Sequence, residues 1–196
     1  VQVASLGVQV HGGMGFVEEA GAAQHLRDAR ITTIYEGTTA IQALDLIGRK
    51  IMRDGGAAAA ELTAEIRATA QAMSEQTGAE LDWAALTAQV TDAALMIEET
   101  TAWLLAQNGH EPQAAAVTIL ELLGIALGAW AMCDSALSTA QRLAKGQGGA
   151  PARARLNTVV FYMTNVFPQA RGLQTIATQG AASVLTLQAA DFGVSA

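Results

Sequence analysis

The chain has 196 residues, 51% apolar but only 5% aromatic, and its 42 alanines supply hydrophobicity through small side chains, which excludes a strand-rich domain and points to close-packed helices. Eleven basic against 18 acidic residues leave a net charge of −7 with no Lys/Arg stripe, so a nucleic-acid partner is not expected, and the lone cysteine, Cys133, excludes a disulfide scaffold. Abundant Leu, Ile and Val with 15% charged residues exclude wholesale disorder, and the length suits two small domains or one medium one.

Residues 1–10 are apolar and uncharged, and His11-Gly12-Gly13-Met14-Gly15 then interrupts any regular element. Glu18 and Glu19 precede Arg27 and Arg30, a charge order that complements a helix dipole and predicts a short helix over 18–29. The β-branched and aromatic run Ile31-Thr32-Thr33-Ile34-Tyr35 reads as an extended connector. Thr38 is a good N-cap, and Ile41, Leu44, Ile47, Ile51 and Met52 recur at helical spacing, predicting a helix over 39–53 closed by Asp54-Gly55-Gly56.

The glycine pair is the best domain boundary, dividing residues 1–54 from 57–190. Up to Asp54 five basic residues face six acidic ones, whereas six face twelve beyond it. That second part reads as an antiparallel helical bundle with helices over 57–76, 83–107, 113–145 and 153–179 and a short last one over 181–190. Gly78, Asn108-Gly109-His110-Glu111-Pro112 and the glycines of 146–149 punctuate it. Asp82 caps the second of these helices, whose Leu86, Val90, Ala93, Ala94, Ile97 and Leu104 form an apolar stripe, and Pro168 kinks or breaks the fourth near Asn165. The longest uncharged stretch, 172–190, carries polar residues throughout, so no membrane span is expected. The chain opens on Val1 without a targeting pattern and reads as a piece of something longer.

No nucleophile elbow, phosphate loop, His-Glu-x-x-His or Rossmann glycine fingerprint is present. His11, His25 and His110 with one distant cysteine make a poor metal set, and no metal site is expected. Cys133 lies in an apolar run, where a buried inert thiol is the expectation, and Trp83, Trp103 and Trp130 read as core or interface anchors. Two places tie polar side chains to glycines, namely Gln9 to Phe16 and Ile34 to Thr39. On residue types alone two readings stay open at each: a tight turn with a carboxylate placed at a helix N-terminus, or backbone and side chains arranged around a ligand.

Gln9-Val10-His11-Gly12-Gly13-Met14-Gly15-Phe16, Leu26-Arg27-Asp28-Ala29-Arg30 and Ile34-Tyr35-Glu36-Gly37-Thr38-Thr39-Ala40-Ile41-Gln42 follow one another in an order that resembles the end of the C-terminal helical domain of acyl-CoA dehydrogenases. The resemblance covers about the first 54 residues; the rest looks like the additional C-terminal helical domain of longer bacterial members, the group that includes methylthiopropanoyl-CoA dehydrogenases. It implies an all-α chain: the end of a four-helix bundle followed by an accessory bundle. It also implies an FAD-dependent oxidoreductase that converts an acyl-CoA thioester to the 2,3-enoyl-CoA, with Glu36 as α-proton base.

By the same resemblance Gln9, Gly12 and Gly13 would approach the FAD of a neighbouring subunit. Thr38, Thr39 and Ala40 would lie beside the flavin of their own subunit, Tyr35 and Gly37 would line the acyl-CoA pocket, and Arg27 and Asp28 would be structural. A homodimer or dimer of dimers, an electron-transfer flavoprotein as acceptor and a bacterial cytoplasmic location complete the implied picture. Because the family's N-terminal helical and middle β-domains would precede Val1, this chain by itself is expected to be inactive. The alternatives are an acyl-CoA oxidase, which ends the same half-reaction with oxygen, and a non-catalytic helical interaction module that keeps the glycines as turns. Departures from the family pattern stand at His11, at Ala20-Gly21-Ala22 and at Ala40.

Overall fold

A computed structural model describes residues 1–78 and 80–193, and among them every regular element is helical. Two compact units divide between Gln42 and Ala43.

In the first unit α1 (Gln2–Val10) packs on α3 (Ala22–Ile31), with the single turn α2 (Gly13–Phe16) against both. The chain breaks only at His11-Gly12, where Gly12 has φ 59, and winds again from Gly13. Gly15 is buried because a Cβ there would overlap the Val8 carbonyl and lie 2.9 Å from the Cβ of His11. The helix expected over 18–29 is divided: Glu18–Ala20 is a 3-10 turn, Gly21 takes φ 75, and α3 begins after it. Glu18 and Arg27 then face each other across the break in a two-pronged ion pair at 2.7 and 2.8 Å. The extended connector expected over 31–35 is instead wound. The amides of Thr33, Ile34 and Tyr35 donate to the carbonyls of Arg30 and Ile31, so local hydrogen bonding outweighs β-branched propensity.

The second unit has a continuous core. The helix expected over 39–53 is α-helical only through α4 (Thr39–Asp45) and becomes a π-helix over Leu46–Met52, where Ile47 and Ile51 enter that core. Asp54 closes this segment and starts α5 (Ala57–Ser74), its carboxylate accepting the amides of Gly56 (2.9 Å) and Ala58 (3.0 Å) while Gly55 and Gly56 take positive φ. The other helices are α6 (Trp83–Ala106), α7 (Glu111–Ala144), α8 (Gly149–Phe161), α9 (Gln169–Gln179) and α10 (Ala181–Leu185), with a 3-10 turn at Ala189–Phe192. Asp82 caps α6 as expected, accepting the Ala85 amide at 3.0 Å, and all six residues of the anticipated α6 stripe are buried.

The α6/α7 pair is central, with α5 and α9 each packing on both members. Helix α5 runs antiparallel to α6: a Cβ on Gly56 would meet Thr101 and Leu105, while Gln71 and Ser74 share a cleft with Thr87 and Thr91. Helix α9 runs parallel to α6, to which Arg171 binds through Asp92 and Glu99 while Gln174 donates to Glu99 at 2.8 Å. The break expected near Asn165 is a π-helix at Tyr162–Val166 followed by Pro168. Its unwinding lets Met163 offer its carbonyl to Gln89 (3.0 Å), and the Tyr162 hydroxyl crosses to the Ile125 carbonyl (3.0 Å) over Gly128.

Helix α7 is the one described helix long and apolar enough to cross a membrane. Glu121 interrupts its uncharged run in the sequence. In the bundle its apolar residues Ile119, Leu122, Ala126 and Ala129 are core.

Candidate active site

The sequence-derived site residues lie on two turns of the first unit. Gln9, Gly12 and Gly13 are exposed at the α1–α2 turn; Tyr35 through Ala40 form the α3–α4 turn, with Gly37 and Thr39 half-buried and the others exposed. No hydrogen bond between described residues joins the two turns. At the first turn Gly12 needs its positive φ, but Gly13 has no such need, and a Cβ at either would meet nothing within 4 Å. The bare backbone of Gly13 is thus not required by the chain's own packing.

At the second turn Glu36 has φ 58, the only positive φ of a non-glycine residue among those described. A left-handed conformation costs an ordinary L-residue about 1–2 kcal/mol, so the turn must hold it. Gly37 follows with φ 103, and a Cβ there would come 3.2 Å from Ile41 Cγ2 and 3.3 Å from Gln42 Nε2. On one side the Tyr35 amide donates to the Ile31 carbonyl (3.1 Å), and on the other the Thr39 amide reaches back to the Thr33 carbonyl (3.3 Å). Thr38 occupies the expected N-cap position, and its carbonyl accepts the Gln42 amide at 3.0 Å. Across the turn Gln42 Nε2 donates to the Glu36 carbonyl at 2.5 Å. The Glu36 N–H finds no acceptor among the described residues. An exposed carboxylate and a free backbone donor therefore share one strained residue.

The Gln42–Glu36 contact leaves no mark in the sequence, because a six-residue separation does not make two groups neighbours until the turn folds. Away from both turns, a groove of about 420 Å³ between α5 and α6 is lined by Gly56, Ala60, Arg67, Glu98 and Thr101. An apolar cleft of about 300 Å³ lies between residues 46–52, α5 and α7. Cys133 is fully buried and desolvation pushes its thiol up to about 12, which leaves it without nucleophilic character at neutral pH.

The family profile described as "Acyl-CoA dehydrogenase, C-terminal domain" matches residues 1–52, and "Acetyl-CoA dehydrogenase C-terminal like" matches residues 62–188. The chain belongs to the acyl-CoA dehydrogenase family. It is similar to 3-methylmercaptopropionyl-CoA dehydrogenase of Ruegeria pomeroyi, with 40% identity over 189 residues, covering 95% of this chain and 32% of that protein. Butyryl-CoA dehydrogenase of Syntrophomonas wolfei is 31% identical over 177 residues, covering 85% of this chain and 28% of that protein. The human mitochondrial short-chain specific acyl-CoA dehydrogenase is 58% identical over 41 residues, covering 21% of this chain and 10% of that protein. The chain thus spans about a third of the length of these two bacterial relatives.

Proposed function

We propose that the chain is the C-terminal part of an FAD-dependent acyl-CoA dehydrogenase, in which residues 1–54 end the catalytic helical domain and 57–190 form an accessory bundle. Glu36 removes the α-proton of an acyl-CoA thioester as the 2,3-enoyl-CoA forms. The observation that carries this reading is the left-handed Glu36 beside Gly37. A turn kept for shape alone is satisfied by glycine or asparagine at φ 58; a carboxylate held there despite the strain has a use beyond the turn.

A thioester α-proton is too weakly acidic for an ordinary carboxylate, so its removal requires donors aimed at the carbonyl oxygen where charge develops. The free N–H of Glu36 supplies such a donor on the base itself. Substrate entry displaces water from the exposed carboxylate and so keeps bulk solvent out of the proton transfer. Tyr35 lines the acyl-CoA, and Gly37 lets the thioester approach the turn without meeting a side chain.

The residues fit a flavin nucleotide. Gln9 offers an exposed side chain and Gly12 and Gly13 an exposed backbone that the chain's own packing leaves open, suited to the adenosine half, and Thr38, Thr39 and Ala40 stand beside the base to flank the isoalloxazine. FAD, when bound, supplies the acceptor for the β-hydride. The family resemblance adds a homodimer or dimer of dimers and an electron-transfer flavoprotein as acceptor. The test is Glu36→Gln in the full-length protein, titrated anaerobically with acyl-CoA. FAD content is expected to match wild type while substrate bleaching of the flavin is lost; undiminished bleaching would overturn the assignment of the base.

A further inference from the structure

Resting on the reading of Glu36 as base, we propose that Gln42 is its positioning residue: the Gln42 side-chain amide holds the Glu36 carbonyl and so fixes the direction in which the carboxylate is presented. The direction of a side chain from its Cα is set by the two peptide planes that flank it. The plane before Glu36 is not gripped through its N–H, although the chain leading to it is anchored by the hydrogen bonds of the Ile34 and Tyr35 amides to the Ile31 carbonyl. The following plane, Glu36–Gly37, is held through its carbonyl by Gln42 Nε2 at 2.5 Å. Peptide planarity transmits that grip to the Gly37 N–H, which must point the opposite way.

Three further features favour this one contact. Gln42 lies in the first turn of α4, its own amide bonded to the Thr38 carbonyl at 3.0 Å, so the donor projects from a regular element. Gly37 leaves the space the amide occupies, since a Cβ there would stand 3.3 Å from Nε2. The residue held is also the one non-glycine among those described that needs holding at positive φ. A base misdirected by a fraction of an ångström loses rate through geometry, while substrate affinity, carried by remote contacts, survives.

The experiment compares Gln42→Ala and the isosteric Gln42→Glu, which lacks the amide donor, with wild type and Glu36→Gln in the full-length holoenzyme. The readouts are FAD stoichiometry, acyl-CoA affinity by equilibrium dialysis, thermal midpoint, and the rate of flavin reduction across a range of acyl-CoA concentrations. Expected is a tenfold or greater fall in reduction rate at saturation in both Gln42 variants, with half-saturation, FAD content and midpoint close to wild type. Wild-type reduction by either Gln42 variant, with Glu36→Gln inactive, overturns the positioning role alone. A rate loss that only tracks loss of FAD or of folded protein overturns it too, by showing a structural role. Active Glu36→Gln protein overturns the underlying assignment of the base.

Discussion

Gly12, Gly13 and Gly15 stand together in the sequence as one glycine-rich break, yet each answers to a different constraint. Gly12 serves the backbone with φ 59, Gly15 serves the contact of α2 with α1, and Gly13 serves neither. Substitution separates them. In the 196-residue chain Gly15→Ala is expected to speed amide exchange in α1 and α2 without moving the denaturation midpoint, which residues 43 onward set, because overpacking against backbone cannot be relieved by rotating a side chain. Gly13→Ala should leave the same exchange unchanged or slightly slower, since open space receives the methyl and alanine favours a helical position. Placed in the full-length protein, Gly13→Ala should nevertheless weaken FAD retention, measured by flavin absorbance after gel filtration. Retention equal to wild type would remove Gly13 from the cofactor contact.

At the scale of elements, what was legible in the sequence was hydrophobic spacing and punctuation. Asp82 and the α6 stripe were readable because one face of a long helix meets one neighbour. The break near Asn165 was readable because proline leaves no α-helical alternative. The winding of 32–35 and the π turns at Leu46–Met52 were not, since both depend on which backbone groups the fold brings within reach. The Gln42–Glu36 contact escaped for that reason as well.

The α5–α6 contact carries an ion pair whose partners also lie beyond sequence spacing. Arg67 grips both oxygens of Glu98 at 2.9 and 2.7 Å, and this hydrogen bonding holds the Glu98 carboxyl below its usual range against a smaller opposing effect of burial. A depressed carboxyl contributes stability above its unfolded pKa and loses it as pH falls through the folded one. Glu98→Gln should therefore cost no more than about 1 kcal/mol near pH 7, the pair being partly exposed. The difference from wild type should close as pH falls through the lowered Glu98 pKa, where both chains come to carry a neutral group, as followed by urea denaturation against pH. A gap that persists in acid would assign the loss to packing instead.

The whole molecule divides unequally. Within Val1–Gln42 only Gly15 and Ala22 are buried, and Val3, Leu6, Val10, Met14 and Phe16 all expose most of their surface. Ala43 onward holds a core in which Ile66, Met73, Ile97, Leu104, Ile119, Leu122 and Met163 are essentially inaccessible. Short helices without a buried face are marginal in water. Residues 43–196 expressed alone should melt cooperatively near the midpoint of the 196-residue chain, while a peptide of residues 1–42 should show little helix by circular dichroism. A cooperative transition in that peptide would refute the division.

The π-helix at Tyr162–Val166 gives the bundle an unusual sensitivity to chain length. An α-helix advances about 100° per residue, so the surplus residue of a π turn phases everything downstream by that angle relative to what precedes it. Losing a single codon there would remove the surplus residue ahead of Pro168 and swing Ala170, Gln174 and Ala177 off the face that now meets α6 and α7. Single-residue deletions across 162–166 belong with frameshifts in their consequence for α9, although each removes only one amino acid.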